Sequence, residues 1–386
     1  MSKVIFTLGS PAIGGGTNVI FEHATRMKIE GEDVYIVTDN KVSEEEYAWH
    51  PLAHTLKWVT YDDIKNMKFD IAIATWWRTV YELYKINSKK YVYFVQSIES
   101  KFYPENEKGL KILAELTYML GMKVITEATW IKEYLEKYGI DAYLVHNGIR
   151  KDIFKCDGET YEKSKGLRVL VEGPVDVGFK NVPKTIELVK KSKADEIWLL
   201  TSSNISSYEG VDKVFSRVPP MECSKIYRSC DVIVKLSYVE GMFGPPLEMF
   251  HCGGTAIVYD VTGHDEYILH NKNGLVVKTD DECQVIEYIN KLTNKKVLSK
   301  LKKEAIKTAS EWISWEESSS RFYKTIKKLS QMESVNQQTI ETRSKLFFDI
   351  YAQYENKSIS TRRKIGNFLR NKMPKIYNIY RKIIRK

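Results

Sequence analysis

The sequence is poor in cysteine, and the cysteines it has do not pair by spacing. Cys156, Cys223, Cys230, Cys252 and Cys283 form no C-x-x-C motif, and five is an odd number. That argues against a disulfide framework or a structural zinc site and for a reducing cytoplasm. Long apolar runs are also missing. None reaches the roughly 18 residues of a membrane-spanning helix, so no span is expected. The start of the chain has no basic segment leading into a long apolar stretch, so no signal peptide is expected. No G-x-G-x-x-G turn follows the first apolar block, which disfavours a dehydrogenase. No metal-type Asp-x-Asp follows a strand, so no metal site is expected.

Acidic residues are absent from one region. Residues 357–386 hold 11 Lys or Arg and no Asp or Glu; taking these from the net charge of +9 leaves −2 for residues 1–356. A nearly neutral body argues against a nucleic-acid-binding surface, and a basic end argues for an anionic partner. In that end, Ile365, Phe368, Leu369, Met373, Ile376, Tyr377, Ile379, Tyr380, Ile383 and Ile384 recur at three- and four-residue steps. The pattern reads as a basic amphipathic helix interrupted at Pro374, suited to an anionic membrane surface, a partner protein or a disordered tail.

The chain of 386 residues suggests two domains. Apolar blocks alternate with helical stretches. Strands are expected at Val4–Leu8, Asp33–Thr38, Phe69–Thr75, Lys90–Val95 and Lys123–Thr126, with a helix over 18–30. After a polar stretch at 156–166 the pattern restarts. Strands are then expected at Leu167–Glu172, Glu196–Leu200, Asp231–Leu236, Thr255–Tyr259 and Gly274–Val277, and helix over roughly 280–330. Such runs indicate parallel strands covered on both faces. The resulting α/β architecture is two doubly wound Rossmann-like domains, 1–155 and 166–330, facing a cleft, with a helical basic tail at 331–386. The cleft beyond the strand ends is the expected binding site.

Chemistry concentrates in Val239-Glu240-Gly241-Met242-Phe243-Gly244-Pro245-Pro246-Leu247-Glu248. Gly241 and Gly244 let a ligand approach the backbone, and Pro245 and Pro246 suit a helix start. Backbone donors at that helix end would meet phosphate or sugar hydroxyls, and Glu248 one turn in offers a carboxylate to two ribose hydroxyls. The Gly14-Gly15-Gly16-Thr17 loop is either a phosphate cradle or a plain tight turn. Trp76 and Trp77, after a strand, are placed to stack on an acceptor sugar or to pack the core.

The Glu240–Glu248 block resembles the E-G-F-G-x-x-x-L-E signature of retaining GT-B glycosyltransferases of the glycosyltransferase 4 group. Cys252-Gly253-Gly254, Gly263-His264-Asp265-Glu266, Asn273-Gly274 and His146-Asn147-Gly148 follow the same running order. The resemblance covers roughly 1–325 and is most specific over 220–280. It implies that Glu248 binds the nucleotide ribose and that Glu240 faces the donor sugar, beside Gly241, Gly244 and the backbone of Met242 and Phe243. It places Gly15 and Gly16 at the donor phosphates and Asn147 at the interdomain crossing. In Glu172-Gly173-Pro174-Val175-Asp176-Val177-Gly178-Phe179-Lys180, Lys180 matches the lysine that neutralises the leaving diphosphate. Pro174 stands where arginine is usual, so Lys180 must do more or another cation must substitute; Arg150, Arg217 and Arg228 are the candidates.

Gln96 replaces the histidine that commonly reaches a sugar 6-hydroxyl. The run Tyr93-Phe94-Val95-Gln96-Ser97-Ile98-Glu99-Ser100-Lys101-Phe102-Tyr103-Pro104 resembles rhamnan-type rhamnosyltransferases. Gln96 would then meet a 6-deoxy sugar and Glu99 the acceptor, unless both merely satisfy loop backbone. The implied reaction is metal- and cofactor-independent transfer, with retention, of a sugar such as L-rhamnose from dTDP-L-rhamnose. The implied acceptor is a glycan or lipid-linked glycan of surface polysaccharide synthesis, met at the inner face of the membrane. A non-catalytic nucleotide-sugar-binding protein and a GT-B epimerase are the alternatives.

Overall fold

The computed structural model describes residues 1–162 and 166–372, with side chains as far as residue 355. Thirteen strands form two sheets. The first contains β1 (Lys3–Thr7), β2 (Asp33–Thr38), β3 (Lys57–Thr60), β4 (Phe69–Ala74), β5 (Ser88–Val95), β6 (Lys123–Thr126) and β7 (Ala142–Leu144). The second contains β8 (Arg168–Glu172), β9 (Glu196–Thr201), β10 (Lys213–Ser216), β11 (Val232–Lys235), β12 (Thr255–Tyr259) and β13 (Leu275–Val277). Their orders are β3-β2-β1-β4-β5-β6-β7 and β10-β9-β8-β11-β12-β13. Every pairing is parallel, as between β11 and β8 and between β1 and β4. This is the expected architecture of two parallel sheets. Central strands such as Val232–Val234 and Val169–Val171 are buried throughout, because helices cover both sheet faces.

In each sheet the strand order reverses direction between two neighbours, β1 and β4 in one, β8 and β11 in the other. Loops diverge at such a point and leave a crevice at the carboxyl ends of the strands. The loops after those ends meet across the molecule: the carbonyl of Gln96, just beyond β5, lies 2.2 Å from where a Cβ on Gly241 would sit.

The strands β3, β7 and β10, which the apolar pattern did not mark, are all sheet edges. An edge strand needs one covered face only, and Lys57–Thr60 is accordingly half-exposed or exposed along its length. The helical stretch near the end is three helices, Glu282–Lys291, Lys295–Glu311 and Trp315–Ser330. Asn294 and Ser314 cap the second and third by accepting from Lys296 N and Glu317 N.

Trp315–Ser330, grouped by sequence with the second half, packs instead on the first, against the helix Gly15–Ile29. The chain crosses where Ile149 bridges Ser314. A last helix, Gln337–Lys372, continues along the first half against the helix Lys108–Leu116, burying Ile340 and Phe347. The amphipathic face expected over 357–386 falls outside the described side chains. Among the described residues no helix is long and apolar enough to cross a membrane.

The returning helix closes on His23. The imidazole stacks on Phe322 at 4.1 Å, meets Phe94 and Trp315 edge-on, and lies 3.1 Å from Ser319 Oγ. Burial, aided by Arg26, lowers its pKa from 6.5 to about 3. A base depressed in the folded state stabilises fully above the unfolded pKa and loses that contribution as pH falls toward the folded one. The melting temperature should therefore decline as pH drops from 6.5 toward 3, and His23→Leu should flatten that decline. An unchanged slope in the variant would show that His23 does not govern acid stability.

Candidate active site

Glu172 ends β8 and Lys235 ends β11, so the two side chains stand on neighbouring strands at the point of reversal. Lys235 is a charged residue closing an otherwise apolar strand, and its side chain is only 3% exposed. It binds Glu172 Oε2 at 2.5 Å and the Glu172 carbonyl at 3.2 Å. Its Nζ lies 3.6 Å from Glu240 Oε1. The other Glu240 oxygen, Oε2, accepts from Lys180 Nζ at 2.8 Å. Lys180 closes a single helical turn, Gly178–Lys180, followed by Asn181 with φ 55°. The Asn181 amide donates to the Leu236 carbonyl at 3.1 Å, which ties that turn to the exit of β11.

Two ammonium groups thus share one buried carboxylate. Burial would raise the Glu240 pKa, but Lys180 and Lys235 outweigh it and hold the carboxyl below its ordinary range. Burial would likewise depress Lys235, but Glu172 and Glu240 outweigh it and raise its pKa. Both groups stay charged.

Glu248 projects from the helix Gly244–His251, whose first turn carries the two prolines. It is half-buried, and burial lifts its pKa to about 7. A hydrogen bond with Tyr227 opposes the rise, and the nearby Glu172 charge adds to it. Gly173, with φ +137°, lies in the left-handed region, where a side chain is strained. A Cβ there would lie 3.0 Å from Val182 Cγ2, 3.6 Å from Lys235 Nζ and 3.7 Å from Lys180 Cβ, so Gly173 packs closely beside both lysines.

The first half contributes from across the cleft. Glu127, beyond β6, accepts from Met242 N at 3.1 Å and from Asn147 Nδ2 at 2.9 Å. Burial raises its pKa to about 7. Gln96 donates to the Thr75 carbonyl at 3.3 Å. Its Oε1 has no hydrogen-bond partner among the described residues, and neither has Asn147 Oδ1; Glu240 Oε1 has only the Lys235 ammonium at 3.6 Å, beyond hydrogen-bond length. These buried acceptors come from both halves of one cleft, and buried acceptors are ordinarily paired. Sugar hydroxyls are donors of the kind they lack.

Several expected residues therefore converge: Glu240, Lys180, Glu248, Gly241, Gln96 and Asn147. Gly16 faces the same cleft, since a Cβ on it would lie 3.3 Å from Gln96 Oε1, and a Cβ on Gly15 would meet nothing within 4 Å. Gly244 opens its helix in equally free space.

Others sit differently. The Met242 N–H, expected to meet the sugar, is taken by Glu127, and the Phe243 ring is fully buried. Trp77 packs in the core, where its indole donates to Tyr103 at 3.2 Å. Glu99, expected to face an acceptor, turns inward to accept from Trp77 N at 2.7 Å, and burial lifts its pKa to about 8. Trp76 remains half-buried against Gly9.

None of the three candidate arginines bonds to the cluster. Arg150 pairs with Asp152, Arg217 with the Ser202 carbonyl and Arg228 with the Glu159 carbonyl. The cation at the site is Lys235. The sequence signal for it was a lone lysine at the end of a valine- and isoleucine-rich strand, two residues before Ser237. Glu127 carried no comparable signal.

A surface pocket of about 370 Å³ lies on the first half, beside Ser100, Lys101, Glu115, Tyr134 and Tyr138, apart from this cluster.

Two doubly wound parallel sheets whose loops face one another are the architecture of the GT-B fold. Residues 205–312 match the family model described as glycosyl transferases group 1. A curated relative, the uncharacterized glycosyltransferase MJ1178 of Methanocaldococcus jannaschii, is 27% identical over 203 residues. That match takes in 50% of this chain and 56% of the relative. Among solved structures, sucrose-phosphate synthase from Thermosynechococcus elongatus aligns with a TM-score of 0.68 at 14% identity, over 85% of this chain and 99% of its own. Anabaena HepE in complex with UDP-glucose aligns with a TM-score of 0.69 at 13% identity, over 85% of this chain and 100% of its own. These structures share the fold.

Contact between the halves at Gly241 leaves no room for a side chain. Gly241→Ala would place Cβ 2.2 Å from the Gln96 carbonyl, and the Trp130 indole, which donates to Gly241 O at 3.0 Å, would shift with it. The variant should show a larger radius of gyration in solution scattering and a lower melting temperature. Unchanged values would mean that the halves do not close on this residue.

Proposed function

We propose that this chain is a glycosyltransferase that moves a sugar from a nucleotide-sugar donor, held in the cleft, to a glycan or lipid-linked acceptor. The observation that carries the reading is the Lys180–Glu240 pair at the reversal between β8 and β11, with Glu248 on the next helix within reach of the Glu172 and Lys235 charges. Glu248 is the ribose ligand, Glu240 receives the sugar hydroxyls, and Lys180 meets the diphosphate. A departing diphosphate gains charge, and a positioned ammonium in a water-poor cleft stabilises that charge. Positioning supplies the rest, because it makes attack by the acceptor effectively unimolecular. We assign no covalent nucleophile, no metal and no resident cofactor, and transfer proceeds with retention.

For the donor we propose a 6-deoxyhexose nucleotide such as dTDP-L-rhamnose. Gln96 stands where a 6-hydroxyl ligand is usual, and its unpartnered Oε1 could accept from another hydroxyl of the sugar. A neighbour in fold was crystallised with UDP-glucose, so UDP-sugars belong in the same test. A thermal-shift screen of UDP-, GDP- and dTDP-sugars separates these. Stabilisation by dTDP-rhamnose supports the assignment, and turnover of UDP-glucose or GDP-mannose with none of dTDP-rhamnose contradicts it.

Two substitutions divide the roles. Glu248→Ala should weaken nucleotide binding roughly tenfold or more, the scale of a lost charged hydrogen bond. Lys180→Ala should lower turnover about 100-fold with a smaller effect on KM, as expected of a group used mainly in the transition state. If neither variant changes activity, the site lies elsewhere.

The basic sequence at 357–386 supports attachment to anionic lipid at the inner face of the membrane, where a lipid-linked acceptor would be met. Full-length protein should float with anionic vesicles and a 1–356 truncation should not; equal flotation removes the tail from the account.

A further inference from the structure

Two lysines reach one carboxylate in the cleft, and they are not equivalent. The Lys180 side chain is 23% exposed and rides on a single helical turn. The Lys235 side chain is 3% exposed and is fixed at the end of a central strand. Lys180 meets Glu240 Oε2 at 2.8 Å, while Lys235 faces Glu240 Oε1 at 3.6 Å and grips Glu172 at 2.5 Å.

Lys180 has three N–H donors but a single charge, which it shares with Glu240. For Lys180 to give that charge to a diphosphate it must turn from Glu240, and a buried carboxylate left without a counter-charge strongly resists that exchange. Lys235 removes the obstacle. It stays in place beneath the loop and supplies Glu240 with a second positive charge from the opposite oxygen. Its position fits the task, because a Cβ on Gly173, next to Pro174, would lie 3.6 Å from Lys235 Nζ. The charge therefore comes from β11, directly below the segment where the family resemblance leads one to expect an arginine. The raised pKa of Lys235 and the lowered pKa of Glu240 agree with a pair that remains ionised.

We infer that Lys235 is the positioning cation of the donor site: it shares its charge between Glu172 and Glu240 from below, so that Lys180 is free to turn to the diphosphate. This rests on the donor reading given above. In that arrangement Glu240 keeps its charge and orientation for the sugar throughout, and the mobile lysine alone changes partner. In place of the arginine that the resemblance leads one to expect at Pro174, the chain then uses a buried lysine that acts through its neighbours.

Calorimetric titration of the full chain with UDP and dTDP tests this. Lys235→Met should bind both roughly tenfold more weakly or worse, because Glu240 then holds Lys180 and a charged hydrogen bond to phosphate is lost. Adding Glu240→Gln to Lys235→Met should restore most of the affinity, since a neutral amide no longer competes for Lys180. A lysine with only a packing role would not be rescued this way. If circular dichroism shows Lys235→Met unfolded, the pair Glu172→Gln with Lys235→Gln removes one charge of each sign and carries the same expectation, with the same rescue. Wild-type binding matched by the Lys235 variant overturns the assignment alone. A weakened variant that Glu240→Gln fails to restore also overturns it. A wild-type chain that binds neither nucleotide overturns the donor reading and this assignment with it.

Discussion

Charge buried at the end of an apolar strand is the constraint around which this molecule is arranged. Taking an ammonium out of water costs several kcal/mol unless a carboxylate meets it. Lys235 sits at such a place, and three further features answer it: Glu172 on the next strand, Glu240 on the following loop, and Lys180 on the far side of Glu240. Replacing the set with apolar residues would commonly be neutral or stabilising. A cluster of this kind is a poor choice for stability and a good one for holding an anionic ligand. The reversal of strand order between β8 and β11 gives it a crevice to face.

The same loop that bears Glu240 also joins the two halves. Gly241 touches Gln96, Met242 N bonds Glu127, and Gly241 O accepts from Trp130. Nearby, Glu266 binds Thr129 and His146, and Phe102 stacks on Phe179 at 4.6 Å beside Lys180. Chemistry and closure therefore share a few residues. Any change in how the halves meet alters the distance between Lys180 and Gln96, and so the space open to a donor. Glu127 occupies the backbone donor of Met242 from the other half, so it too fixes how the halves meet.

Much of this was legible in the sequence because it follows from local rules. The buried strands Asp33–Thr38, Lys123–Thr126 and Thr255–Tyr259 are runs of branched apolar residues with the bounds expected of them. Glu240 and Glu248 stand out in the sequence because glycines, prolines and two carboxylates fall at fixed offsets. What was missed depends on the third dimension. The edge strands β3, β7 and β10 need little apolar patterning. The inward turn of Glu99 depends on where Trp77 N lies, 22 residues away in sequence. Lys235 was passed over because a lysine in a strand reads as a solvated end until the neighbouring Glu172 is seen, 63 residues earlier. The helix Trp315–Ser330 was grouped with its sequence neighbours, although its apolar stripe belongs to the first half.

The central claim is that Glu248 and Lys180, with Glu240 and Lys235 beside them at the reversal between β8 and β11, hold the ribose and diphosphate of a nucleotide. A crystal structure of the full chain with UDP or dTDP bound tests it most directly. The account predicts ribose hydroxyls on the Glu248 carboxylate and Lys180 turned from Glu240 to the diphosphate, with Lys235 still against Glu172. A nucleotide bound elsewhere, or bound there with Glu248 untouched and Lys180 still on Glu240, would contradict it.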